Sequence, residues 1–180
     1  WDPDAGRIFG PGLDDVDAVV NLAGGPIASS RWTKERKAEL RRSRVTSTLT
    51  IVTSLSPDGR CQRLLNGSAV GYYGDTGIEV VDETWPQGRG FLAGLVADWE
   101  AAASPAADAG IRCVPVRTGI VQSPRGGVLQ LFRPLFAAGL GGPLASGRQW
   151  MSWIGIDDLV DIYHRALWDD DLAGPVNAVA

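Results

Sequence analysis

Cysteine, histidine, lysine and long apolar runs are all scarce in this chain of 180 residues, and each scarcity closes off a class of protein. Cys61 and Cys113 are the only cysteines; they stand far apart and neither belongs to a CxxC pair. That excludes a zinc knuckle and a disulfide-stapled miniprotein, and makes a reduced, cytoplasmic setting the simpler expectation. No apolar run reaches the roughly 18 residues a membrane helix requires. The best stretch, Val128 to Leu144, is broken by Arg133, Pro134 and glycines. No secretory signal opens the chain. Positive charge is not in excess either. The formal net charge of -4 argues against nucleic acid or an acidic membrane as a partner. An initiator Met is lacking, and both Trp1 and Ala180 look like cut ends, so an internal piece of a longer protein is expected.

What is present suits one soluble globular domain: 44% hydrophobic and 21% charged residues, enough apolar mass for a core. Asp17 to Gly24 is a short apolar run that reads as a buried strand. A helix is expected from about Thr33 to Leu55, where Lys34, Lys37, Arg41 and Arg44 recur at helical spacing. Glu35 and Glu39 interleave with that stripe, which favours a solvated face. Arg63 to Ser68 reads as a second strand, Phe91 to Ala109 as a helix, and Arg112 to Arg117 as a third strand in which Pro115 forfeits a ladder bond. An irregular region with a short helix near Leu129 to Ala138 precedes a helix from Ile156 to Trp168 and a last strand, Val176 to Val179. Alternating strands and helices with continuous apolar strands predict an α/β fold, a parallel sheet covered on both faces.

In such a sheet ligands bind outside the carboxyl ends of the strands. Here those ends read Asn21-Leu22-Ala23-Gly24, Asn66-Gly67-Ser68-Ala69 and Arg117-Thr118-Gly119. Small residues admit a ligand close to the backbone, and Asn and Ser offer hydrogen bonds. Tight strand-to-loop turns are the plainer reading of any one such end.

At these residues the sequence resembles the extended short-chain dehydrogenases/reductases, and within them the YfcH-type epimerase family group of sugar-nucleotide epimerases. The resemblance is carried by Asn21 to Gly24 with Arg31-Trp32, then Gly67-Ser68-Ala69-Val70-Gly71-Tyr72-Tyr73-Gly74-Asp75. It continues through Trp99-Glu100, Arg117 to Val121, Gly139-Leu140-Gly141-Gly142-Pro143 and Trp153 to Asp158. It implies a Rossmann-like, doubly wound sheet binding NADP or NAD, here without the first βαβ unit and the small C-terminal domain. No glycine-rich phosphate loop follows a strand in this chain. The whole chain, 1–180, would be a partial NAD(P)-binding domain, with substrate-side segments around 122–155.

The resemblance assigns Asn21, Leu22, Ala23, Gly24, Gly67, Arg117, Thr118 and Gly119 to the cofactor. It assigns Ser68 and Tyr72 to catalysis, and Tyr73 and Arg148 to the substrate. The family's usual acid/base pair, Tyr-x-x-x-Lys, is absent: the only lysines are Lys34 and Lys37, and the register of Glu100 puts Leu92 and Val96 at the two positions. Ser68 reads equally as a serine capping the turn after its strand. Tyr72 and Tyr73 read equally as packing residues, with no neighbouring cation apparent in the sequence. Arg117 has a structural or substrate-side role, or is simply solvated. The resemblance places Arg148 in a segment that contacts the substrate, where a guanidinium suits a diphosphate or carboxylate. Asp157 and Asp158 read as a helix cap, His164 as a surface or packing residue, and no metal is expected. The expected function is an NAD(P)-dependent epimerase or oxidoreductase with a small-molecule substrate of nucleotide-sugar type, with a homodimer as the assembly to consider. The alternative is a non-catalytic NAD(P)H-binding or sensing protein.

Overall fold

Leu64 and Leu65 are consecutive, fully buried and on opposite faces of one strand, which alone requires a sheet covered on both sides. The computed structural model describes residues 1–13, 15–143 and 146–180. A four-stranded sheet runs in the order β1 (Ala18–Asn21), β2 (Arg63–Ala69), β3 (Arg112–Thr118) and β6 (Val176–Ala178), every pairing parallel. Leu64 packs with Ile51 of α1 (Lys34–Thr53) and Ala103 of α2 (Phe91–Ala103). Leu65 packs with Val114, Val116 and, from α5 (Ile156–Trp168), Leu159 and Ala166. The doubly wound α/β architecture read from the sequence is the one observed.

Local chemistry sets the boundaries. Thr33 caps α1, its Oγ1 accepting from Arg36 N–H at 3.2 Å. The hydroxyl-rich second half of α1 stays helical because Thr50, Thr53 and Ser54 donate back to carbonyls one turn earlier. Within this chain β1 pairs with β2, with Asn21 buried and Val20 44% exposed. Two readings need correction. The helix expected through Ala109 breaks at Ser104, and a short α3 (Pro105–Asp108) follows, because Pro105 has no N–H for the Ala101 carbonyl. The Ser104 hydroxyl donates to that carbonyl instead, at 2.9 Å. Asp157 and Asp158 sit in the first turn of α5 without a side-chain cap bond; their carboxylates still suit the positive end of its dipole.

Pro115 is tolerated because the ladder with β6 begins only at Val116. A 3-10 turn, Val70–Tyr73, continues directly from β2. A second, two-stranded parallel sheet, β4 (Ile120–Gln122) with β5 (Trp153–Gly155), was not anticipated. Gly119 is the one residue between β3 and β4, and a Cβ there would lie 3.0 Å from the Ser152 carbonyl oxygen. The short helix of the irregular region is α4 (Val128–Ala137). The segment 122–155 is described except for residues 144 and 145, which lie outside the described residues. No helix among the described residues is long and apolar enough to cross a membrane.

Candidate functional site

Two polar clusters are buried where β1, β2 and β3 end. Asn66 and Ser68 lie two residues apart on β2 and belong one to each. In the first cluster the Asn21 amide donates to Asn66 Oδ1 at 2.7 Å and to Thr48 Oγ1 at 2.9 Å. Asn21 Oδ1 accepts from Ala23 N–H at 3.1 Å, and Trp99 Nε1 donates to Thr48 Oγ1 at 3.0 Å. Gly67 is required beside it: an added Cβ would meet the Trp99 ring at 3.0 Å. Of the residues assigned to a cofactor, Asn21 and Gly67 are thus occupied in packing the sheet end, while Leu22 and Gly24 are exposed at its rim.

The second cluster is charged. Ser68 Oγ donates to Glu100 Oε1 at 2.5 Å. Arg117, 3% exposed, grips the same carboxylate with two bonds, Nε to Oε1 at 2.9 Å and Nη2 to Oε2 at 2.8 Å. Its Nη1 donates to the Tyr73 hydroxyl at 2.9 Å and to the Glu83 carbonyl at 3.3 Å. The guanidinium also lies 3.7 Å from the centre of the Tyr72 ring. Tyr73 in turn donates to Asn177 Oδ1 at 2.7 Å, and the Asn177 N–H donates to Glu83 Oε1 at 2.7 Å. Burial opposes the charge on Arg117, but the hydrogen bonds to Glu100 and Tyr73 outweigh it, and its pKa moves above the ordinary arginine value.

This arrangement settles the alternatives for Arg117. It is neither solvated nor available at the rim; it fixes Glu100, both tyrosines and the Glu83 backbone in one frame. Sequence reasoning missed that frame and used Glu100 only as a register mark. The available signal was an arginine inside an apolar strand, which requires a counter-charge. Ser68 and Tyr72 are brought together around the Arg117–Glu100 pair. Tyr73 lies there too and lines an open cavity of about 500 Å³ beyond the strand ends. Arg148 is exposed and is not among the residues lining that cavity. Leu92 and Val96, at the two positions of the absent acid/base pair, pack toward Gly71: a Cβ there would lie 3.6 Å from Leu92 Cβ and 4.0 Å from Val96 Cγ2.

In the basic stripe of α1, Lys34 and Arg41 with Glu35 and Glu39 are exposed as expected, and Arg44 departs from that solvated face. Arg44 is half-buried, bonded to the carbonyls of Leu40 and Gly25 and stacked on Trp99. Burial, with Arg36 nearby, lowers its pKa.

The family model described as NAD dependent epimerase/dehydratase family matches residues 6–178. The chain belongs to that family. An epimerase family protein of Mycobacterium bovis is 49% identical over 177 residues, which are 98% of this chain and 58% of that protein. The human epimerase family protein SDR39U1, crystallised with NADPH, superimposes with a TM-score of 0.88 at 35% identity, over 94% of this chain and 59% of that one. A nucleoside-diphosphate sugar epimerase from Corynebacterium glutamicum gives a TM-score of 0.82 at 41% identity, over 93% of this chain and 35% of that one. This epimerase/dehydratase chain therefore spans under two thirds of the relatives it matches, and its sheet is the Rossmann-like sheet of NAD(P)-binding epimerases.

Proposed function

We propose that this chain supplies the nicotinamide side and the substrate side of an NAD(P)-dependent epimerase or oxidoreductase, acting on a small molecule at a hydroxyl or its carbonyl. The observation that carries the reading is the Ser68–Glu100–Arg117 linkage at the carboxyl ends of β2 and β3. A carboxylate only accepts hydrogen bonds, so Ser68 must donate to Glu100, and its lone pairs are left to accept. Ser68 is thereby set to receive a ligand O–H. Tyr72, held flat on Arg117, borders the same linkage.

The strand ends fit the ribose and nicotinamide of a dinucleotide, since Leu22 and Gly24 are exposed and Thr118 and Gly119 carry little bulk. A diphosphate cradle is not among these residues. Gly25 N–H is already bonded to Ser43 Oγ at 3.0 Å, and α1 starts only after Thr33, which caps it. When bound, NADP or NAD supplies the hydride chemistry. The chain's own contribution is to hold the substrate oxygen at Ser68, with a path for its proton to the Glu100 carboxylate. The related human structure with NADPH supports NADP as the cofactor of choice.

A second reading, binding or sensing of NAD(P)H without turnover, is favoured by Leu92 and Val96, which pack where the family's acid/base pair would stand. The Ser68→Ala variant separates the two. Under the enzymatic reading it lowers turnover of a carbonyl and alcohol panel, followed by NADPH absorbance, by about 100-fold. NADPH affinity measured by calorimetry stays unchanged. Unaltered turnover would remove Ser68 from catalysis, and NADPH binding with no turnover by the wild type would leave the sensing role.

A further inference from the structure

At the opposite end of the sheet from Ser68 we infer a second site, where Arg63 and Arg112, at the starts of β2 and β3, bind a phosphate-type dianion. This site is independent of any dinucleotide or substrate at the carboxyl ends of the strands.

Arg63 and Arg112 are partners in the parallel register of β2 and β3, so two guanidiniums rise side by side from adjacent strands. Like charges in that relation repel unless a counter-charge lies between them. Both side chains are largely buried, Arg63 22% and Arg112 12% exposed. Their counter-charge is Asp170, 72% exposed, whose Oδ1 lies 3.0 Å from Arg63 Nη2 and 3.7 Å from Arg112 Nη2. The neighbouring Asp169 is turned to Arg165, and Arg60 is paired with Asp17. One carboxylate oxygen, reaching in from solvent, thus serves two cations.

Arg117 shows how a guanidinium is satisfied in this protein: Nε and Nη2, on one edge, take the two oxygens of Glu100. Arg63 presents the same edge and only half of it is used. Its Nη2 donates to Asp170, while its Nε is buried without a hydrogen-bond partner among the described residues. A buried N–H left unpaired is costly, and such groups mark places for an ion or a water. Arg112 is held from the other side, Nη1 and Nη2 donating to the Leu172 and Leu167 carbonyls at 2.7 and 3.4 Å. Both arginines and Asp170 line a cavity of about 490 Å³, bounded by Pro57, Gly59 and Gly110. That volume admits a small anion. A phosphate satisfies Arg63 Nε and Nη2 with two oxygens and turns a third to Arg112 Nη2, and its two negative charges match the two guanidiniums. A carboxylate has neither the third oxygen nor the second charge. Asp170 gives way at the rim and is the competitor of the bound anion.

That competition gives the test its sign. Inorganic phosphate is titrated by calorimetry at pH 8 and constant ionic strength into the wild type, Asp170→Asn and Arg63→Met. The expected result is saturable binding to the wild type, about tenfold tighter in Asp170→Asn and lost in Arg63→Met. Asp170 is exposed, so its variant keeps the fold. The thermal midpoint of Asp170→Asn, lowered by two unbalanced arginines, should recover with phosphate and not with sodium chloride of equal ionic strength. Glycerol 3-phosphate separates the sources of the anion: tighter binding than phosphate identifies a phosphorylated small molecule, and equal or weaker binding identifies the free ion. No saturable phosphate binding by either the wild type or Asp170→Asn would overturn the inference. So would binding unaltered in Arg63→Met, or the same thermal recovery with sodium chloride, either of which leaves Asp170 as a partner in a structural ion pair and nothing more.

Discussion

The neutral cluster around Asn66 and the charged cluster around Glu100 occupy the same sheet end, yet they are built for different ends. The neutral one closes on itself: both donors of the Asn21 amide are used, Thr48 receives two donors, and the Trp99 ring lies over Gly67. It fixes the distance between sheet and helices and offers nothing outward. The charged one is not fully closed: the Ser68 oxygen can still accept, and Tyr72 and Glu100 border an open cavity. Satisfaction of every buried group gives rigidity; one group left half-satisfied gives a site.

The sharpest way to break this comparison is to remove one partner from each cluster. Arg117→Met leaves the Glu100 carboxylate buried without its partner and should lower stability by about 3–5 kcal/mol in urea unfolding. The double variant Glu100→Leu/Arg117→Met should recover much of that loss, because the unpaired charge is gone as well. If the double variant is no better than the single, the pair is not the source of the effect.

Proton titration separates both clusters from their surroundings. Tyr163 is pushed up from 10.0 to about 12 by burial, against a hydrogen bond with Thr118. Burial, assisted by Glu100, pushes Cys113 up from 9.0 to about 11. In each case the folded state keeps the proton more tightly. Their contribution is therefore complete below the ordinary values and is lost as pH rises through the shifted ones. Stability should fall between about pH 9 and 12, and Tyr163→Phe should remove part of that fall, about 2 kcal/mol. Arg117, shifted upward beyond this range, contributes nothing to it. An alkaline fall that vanished only in Arg117→Met would reverse the assignment.

Smaller effects follow on the neutral side. Thr48→Val strands the Trp99 N–H and one Asn21 donor and should reduce stability by about 1–3 kcal/mol, with no dependence on pH between 6 and 9. Ser68→Ala should change stability least, about 1 kcal/mol or under, since Arg117 still holds Glu100. A large loss of stability in Ser68→Ala would recast that serine as a structural residue.

Much of this was legible beforehand, and the gaps have a common cause. The approximate span of α1, the rim residues from Asn21 to Gly24, and Ser68 near the end of β2 followed from periodicity and from small residues at strand ends. The strands β4 and β5 have three residues each, too few for an alternation to show, and β5 runs into α5 without a loop. Their pairing depends on Gly119 allowing a close approach to Ser152, a tertiary fact. The charged cluster was hidden for a similar reason. Arg117 and Glu100 meet only because α2 packs over β2 and β3, and a chain with 17 basic and 21 acidic residues offers too many candidate pairs for spacing to choose among.

The indole that covers Gly67 has a spectroscopic consequence. Of seven tryptophans, Trp99 alone is buried; the other six are exposed. Its emission belongs at the blue edge of the protein's spectrum and out of reach of iodide, while the others emit to the red and are quenched. With the exposed six silenced, the remaining light comes from the ring whose N–H is bonded to Thr48, so a natural fluorophore reports the closure of the sheet end without any label.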